Sequence, residues 1–210
     1  MTFVDFRLYL VTDRLQTGGR PLVPLLSQAI DAGVSAVQLR ERDLGTRALL
    51  ALAQEVRMLT RERGAKLFIN DRVDLVNAVE AAGVHLRASS LPVPAARRIL
   101  GPDRLIGVST HSADEAARAE ADGADFAVLG PIYDTPSKRG YGPPIGIGTL
   151  EDACRRCRIP IFAIGGITPP RASEVRRAGA FGVAVISAVL AAEDIGDAVR
   201  RLVNAVTSPA

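Results

Sequence analysis

The chain has 210 residues, 48% hydrophobic and 23% charged, a balance that suits one soluble globular domain with a sizeable core. The formal net charge is +3, and basic residues come as pairs such as Arg97-Arg98 and Arg176-Arg177, not as the clustered face of a nucleic-acid binder. No segment approaches the roughly 18 uninterrupted apolar residues of a membrane span. Met1-Thr2-Phe3-Val4-Asp5 lacks the basic start and apolar run of a secretory signal, so the expected location is cytoplasmic.

Short apolar runs recur along the chain at 8–12, 36–40, 66–70, 83–86, 105–110, 126–131, 159–166 and 182–187. Most are near-continuous Val/Ile/Leu stretches, as expected of strands buried on both faces. Amphipathic segments such as 46–63, 112–122, 169–178 and 195–206 lie between them. Alternation of this kind implies right-handed βαβ units and a parallel sheet. Gly33, Gly83, Gly123 and Gly179 lie at joints leading into strands, where glycine closes a helix in a left-handed conformation. Eight strands repeating every 20 to 25 residues or so predict a closed α/β (β/α)₈ TIM barrel over an open sheet. We expect a single domain spanning 1–210. No Gly-x-Gly-x-x-Gly follows the first strand, which removes the main sign of a dinucleotide fold.

Polar residues gather where these strands end, which is the face on which such barrels place their active sites. They are Thr12-Asp13, Gln38 to Asp43, Asn70-Asp71-Arg72, Ser109-Thr110-His111 and Gly130-Pro131, with Thr135-Pro136-Ser137-Lys138 beyond. The opposite strand ends are expected to be small or apolar. Ile164-Gly165-Gly166-Ile167 and Ile186-Ser187-Ala188 each run from a strand into a helical start, and freed backbone N–H groups there suit a phosphate dianion. The same glycines could instead relieve crowding. The stretch 131–148 reads as a long Gly/Pro-rich loop of the kind that covers a substrate, with Thr135, Ser137 and Lys138 offering a grip on pyrophosphate oxygens. Asn70 and Asp71 offer hard oxygen ligands for Mg²⁺, although an aspartate at a strand end can equally cap a helix.

Cys154 and Cys157 form one Cys-x-x-Cys in a helical stretch, and His85 and His111 are the only histidines. The spacing fits neither a zinc set nor a redox strand–motif arrangement, so we read the cysteines as small helix residues one turn apart. His85 falls within a strand and reads as structural.

At these residues the chain resembles thiamin phosphate synthase and its paralogue, the thiazole tautomerase TenI. The matching segments are Leu10-Val11-Thr12-Asp13, Gln38-Leu39-Arg40-Glu41, Phe68 to Asp74, Gly83-Val84-His85-Leu86, Gly107-Val108-Ser109, Gly130 to Lys138, Ala163 to Ile167 and Gly182 to Ser187. The resemblance implies joining of hydroxymethylpyrimidine pyrophosphate to thiazole phosphate with loss of pyrophosphate. By resemblance, Arg40, Lys138, Asn70 and an Mg²⁺ on Asp71 stabilise the leaving group, and Gln38 and Ser109 orient the pyrimidine. Thr135 and Ser137 hold the thiazole substrate, and Gly165, Gly166, Ile186 and Ser187 bind its phosphate. The partners implied are these small phosphorylated substrates, with no nucleic acid or membrane, and a homo-oligomer is compatible.

Two departures stand out. Synthases usually continue from the His-Leu pair with Gly-Gln-x-Asp, whose aspartate is the second Mg²⁺ carboxylate. This chain reads Arg87-Ala88-Ser89-Ser90, so Ser90 stands in that place. Arg42 replaces a lysine usual in the synthases. The tautomerase shares both the missing aspartate and an Arg-Glu-Arg like Arg40-Glu41-Arg42. His111 corresponds to its catalytic histidine, but many synthases also carry histidine there, so it does not discriminate. Asn70-Asp71 and Thr135-x-Ser137-Lys138 have the synthase form. The synthase is therefore the expected reading, with the tautomerase and a non-catalytic thiazole-phosphate-binding barrel as alternatives. A sugar-phosphate isomerase would need a facing carboxylate pair, which the sequence does not offer.

Overall fold

The computed structural model describes residues 3–135 and 143–208. Eight parallel strands close into a barrel in chain order: β1 Leu8–Val11, β2 Ala36–Leu39, β3 Lys66–Asn70, β4 Gly83–Leu86, β5 Leu105–Thr110, β6 Phe126–Leu129, β7 Ile161–Ile164 and β8 Gly182–Val185. Around it run α1 Leu22–Asp31, α2 Thr46–Glu62, α3 Val73–Ala78, α4 Val93–Leu100, α5 Ala113–Ala121, α6 Gly146–Arg156, α7 Pro169–Arg177, α8 Ser187–Leu190 and α9 Ile195–Thr207. The (β/α)₈ barrel expected from the alternation is the fold observed. No helix among the described residues is long and apolar enough to cross a membrane.

The helices follow from their patterning. In α9, Ile195, Val199, Leu202 and Val206 recur on one face and are buried, while the Asp194 side chain caps the start by accepting from Asp197 N–H at 2.8 Å. Such faces seal the outside of the barrel in one apolar layer with the outward residues of the strands.

A second, aromatic cluster fills the barrel interior. Phe6, Tyr9, Phe68, Phe126 and Phe162 are buried together, with centroids 5.2 Å apart for Phe6–Phe162 and 5.5 Å for Phe68–Phe126. Strand glycines make the room: a Cβ on Gly107 would lie 2.3 Å from the Phe126 ring, and one on Gly182 would lie 2.8 Å from the Phe162 ring. Aromatic rings on some strands and glycines on others thus plug the barrel below its upper face.

Two sequence expectations are corrected here. The lower strand ends are not merely small or apolar. Lys66 Nζ pairs with Asp5 at 2.7 Å, Arg97 with Asp125 at 2.6 Å, and the Arg7 guanidinium lies 4.6 Å from the centroid of the Phe181 ring. This end also meets solvent, and long basic side chains cover the plug there while keeping their charge wet. The stretch 131–148 is also shorter as a loop than expected, because α6 already begins at Gly146.

Candidate active site

A cavity of about 490 Å³ opens at the carboxyl ends of the strands. Of the residues singled out from sequence, Gln38, Arg40, Arg42, Asn70, Ser109, His111, Thr135, Gly165, Gly166, Ile186 and Ser187 line it together. Ser137 and Lys138 lie outside the described residues. Asp71 and Ser90 do not line the cavity, whereas Arg87, their neighbour in space, does.

The strand ends lock one another. Thr12 Oγ1 accepts from Arg40 N–H at 2.9 Å, and Gln38 Nε2 donates to Asn70 Oδ1 at 3.0 Å. The buried Glu41 turns away and accepts from Arg14 N–H at 3.0 Å, joining the β1 and β2 loops. Burial, and then the Arg42 charge, lowers the Arg40 guanidinium from its ordinary range, against Asp13 and Glu41, with Arg87 adding to the depression. A guanidinium stays charged even so, and this one is poorly hydrated and close to other cations. Such a group gains when an anion enters.

Beneath the arginines lies a chain the sequence reading missed. His85, buried on β4, places Nε2 2.9 Å from Ser109 Oγ, and Nδ1 lies 3.5 Å from the hydroxyl of buried Tyr9. His85 also lines the cavity, so it is more than a strand filler. Burial drives its imidazole down to about 3. The ring is therefore neutral at working pH. Periodicity could not reveal this, because an inward strand histidine reads the same whether it meets a hydroxyl or a ring.

His111 sits at the start of the α5 loop, half-exposed. Glu115 Oε2 accepts its backbone N–H at 2.8 Å and lies 3.3 Å from Nδ1, so the imidazole is tethered at the rim.

The glycine loop relieves crowding, one of the two roles the sequence left open, and it also lines the cavity. Gly165 and Gly166 have φ of +98° and +65°, and Cβ atoms there would lie 2.6 Å from Pro131 and 2.7 Å from the Asp134 carbonyl oxygen. The β6 loop therefore rests directly on the glycine backbone that lines the cavity. Arg171 clamps this contact: Nη1 donates to Gly166 O at 2.8 Å, and its guanidinium lies 4.4 Å from the centroid of the Tyr133 ring. Tyr133 O–H in turn donates to Glu174 at 2.8 Å.

Asp71 stands at a left-handed φ of 62° at the end of β3. Its Oδ1 accepts from the Ser90 hydroxyl and its Oδ2 from Arg87 Nε, while Ser90 Oγ accepts Arg87 N–H at 2.7 Å. Both carboxylate oxygens are thus engaged, and Asn70 Oδ1 serves Gln38. Among the described residues no three His, Cys, Asp or Glu side chains converge as a metal set. As arranged, these side chains do not fit a preformed Mg²⁺ seat. An ion would need Asp71 to release Arg87 and would draw its other ligands from phosphate and water.

Residues 8–189 match the family described as thiamine monophosphate synthase. The chain is 46% identical over 200 residues to the thiamine-phosphate synthase of Moorella thermoacetica, covering 95% of each. It is 46% identical over 199 residues to that of Chloroflexus aurantiacus, covering 95% of this chain and 92% of the relative. Its structure aligns with thiamine phosphate pyrophosphorylase from Pyrococcus furiosus at a TM-score of 0.87 and 37% identity, covering 96% of this chain and 95% of that one. From the barrel, the arginine-lined cavity and these likenesses along nearly all its length, the chain belongs to the thiamine monophosphate synthase family and is an enzyme of that type.

Proposed function

We propose that this chain joins hydroxymethylpyrimidine pyrophosphate to thiazole phosphate, releasing pyrophosphate. The observation that carries the reading is the charge layout of the cavity. Arg40, Arg42 and Arg87 line it together with the glycine loop and Ile186-Ser187, and no Asp or Glu of the described residues lines it. Two anionic groups can thus enter one cationic space.

The bond from the pyrimidine methylene carbon to the pyrophosphate oxygen breaks first, and its electron pair leaves with the pyrophosphate. The thiazole nitrogen then gives its lone pair to the methylene carbon, forming the C–N bond. Such a dissociative step needs mainly charge stabilisation on the leaving group. Arg40 and Arg42 supply it from the β2 end, with Asn70 beside them. Lys138 would add to it by resemblance.

Gln38 and Ser109 orient the pyrimidine. With Tyr9 O–H donating to His85 Nδ1, His85 Nε2–H donates to Ser109 Oγ, and the Ser109 hydroxyl hydrogen remains for a ring nitrogen. The backbone at Gly165, Gly166, Ile186 and Ser187 takes the thiazole phosphate. Ile186 and Ser187 open α8, where first-turn N–H groups have no partner within the helix. The glycines offer loop N–H groups ahead of α7, whose first two residues are prolines without one. Thr135, with Ser137 by resemblance, keeps the thiazole beside the leaving group.

The direct test is to supply both substrates to the purified protein and measure thiamin phosphate and pyrophosphate, with Mg²⁺ and with chelator. Equal amounts of the two products support the synthase. A second reading, the tautomerase, would use His111, which lines the cavity under either reading. No coupling, together with isomerisation of the thiazole carboxylate phosphate that vanishes in His111→Ala, would transfer the protein to it.

A further inference from the structure

We propose that Arg87 is a pyrophosphate-binding residue that bridges Asp71 and the leaving group, taking the place between carboxylate and phosphate oxygens that a divalent cation would otherwise fill. The inference rests on the synthase reading and deepens it.

The geometry is that of a held group rather than a stray surface arginine. Asp71 engages Arg87 through Nε alone, so neither Nη group takes part in that bond. The same side chain lines the cavity with Arg40 and Arg42. Its backbone is fixed as well, because Ser90 Oγ accepts Arg87 N–H at 2.7 Å while donating to the other oxygen of Asp71. Carboxylate, hydroxyl and guanidinium thus form one small unit at the mouth of β3 and β4.

Ser90 is the residue that makes the unit work without an ion. A hydroxyl can donate to Asp71, whereas a carboxylate at position 90 would face a second carboxylate and require a cation between them. With Ser90 donating and Arg87 paired, the Asp71 charge is already satisfied. The arginine Nη groups can then form charge-assisted bonds to phosphate oxygens. Arg40 and Arg87 line the same cavity, and the Arg87 charge adds to the lowering of the Arg40 guanidinium. A pyrophosphate leaving with an extra electron pair would meet three guanidinium groups, and a metal ion would have to compete with Arg87 for Asp71.

The test uses inorganic pyrophosphate and Mn²⁺ as probes on the whole protein. By calorimetry in chelator, the wild type should bind pyrophosphate, and Arg87→Met should weaken it about 10- to 100-fold, the range for hydrogen bonds to a charged group. Arg87→Lys keeps the charge but cannot hold Asp71 and reach the anion together. It should lose at least about fivefold, and it decides the matter if the Met variant does not fold. By electron paramagnetic resonance without pyrophosphate, Mn²⁺ should bind the wild type weakly, and Arg87→Met with Ser90→Asp at least about tenfold more tightly. Pyrophosphate affinity in chelator that is unchanged in both Arg87 variants overturns the proposal. So does pyrophosphate binding by the wild type only when Mg²⁺ is present, or tight Mn²⁺ binding by the free wild type. Arg87-dependent pyrophosphate binding with no thiamin phosphate formed supports the bridge and overturns the synthase reading instead.

Discussion

His85 Nε2 lies 2.9 Å from Ser109 Oγ, linking the buried interior of the barrel to the hydroxyl on its cavity wall. The imidazole is held neutral by burial, and Tyr9 lies at its other nitrogen. Replacing His85 with Phe should therefore free Ser109 to rotate. We expect kcat/KM for the pyrimidine substrate to fall about tenfold, one hydrogen bond's worth, with the KM for thiazole phosphate little changed. Steady-state kinetics varying each substrate in turn would check this, and equal losses for both would remove the orienting role.

The same residue predicts a pH dependence of stability. His85 is depressed to about 3 in the folded protein against an ordinary value of 6.5, so the unfolded chain binds the extra proton between those values. Stability is then complete above pH 6.5 and falls as the pH drops through that window, with a slope approaching about 1.4 kcal/mol per pH unit from this group. Urea unfolding at pH 7 and pH 5, compared with His85→Phe, isolates the effect. The variant should show a flatter profile.

Arg40 combines a depressed, poorly solvated guanidinium with a backbone locked to Thr12. Arg40→Ala should lower kcat by about 10² to 10³, as for loss of a preorganised group at developing charge. Arg40→Lys should recover only part, because an ammonium lacks the planar fork. Single-turnover formation of thiamin phosphate would measure both.

Gly166 carries the contact between the glycine loop and the β6 loop. Its φ of +65° and the 2.7 Å approach of the Asp134 carbonyl oxygen to a new Cβ leave no room for a methyl group. Gly166→Ala should cost about 1 to 3 kcal/mol of stability and raise the KM for thiazole phosphate more than that for the pyrimidine. Thermal unfolding with the two KM values would check the pairing of effects.

Gly107 tests the aromatic plug. A Cβ there would meet the Phe126 ring at 2.3 Å, against a ring packed on four sides by other aromatics. Gly107→Ala should destabilise by about 1 to 3 kcal/mol or more. Gly107→Ala in a Phe126→Leu background should cost much less, and denaturant unfolding of the four proteins gives the coupling directly.

Much of the site was legible in the chain because a parallel barrel sends every strand end to the same face. Once Gln38, Asn70, Ser109 and Gly165 are placed at strand ends, topology alone brings them together around one cavity. Strands β3, β4 and β5 have the limits that their apolar runs predict, whereas β1 and β2 stop one residue earlier, where the chain leaves the ladder. The polar lower rim was misjudged because its charged partners are distant in sequence: Lys66 meets Asp5, and Arg97 meets Asp125.

The sequence by itself determined the alternation, the closed parallel fold and most of the upper polar ring, which depend on local periodicity and on residue types at strand ends, though not the places of Asp71, His85 and Arg87. Tertiary structure alone decided who touches whom within that ring. Asp71 could have faced the cavity as a free ligand, but the β4 loop carries Arg87 and Ser90 onto its two oxygens. His85 could have been inert filling, but the register of β4 against β5 sets it beside Ser109. Hydrogen bonds depend on angstrom-scale distances across strands, and periodicity along one strand carries no information about them.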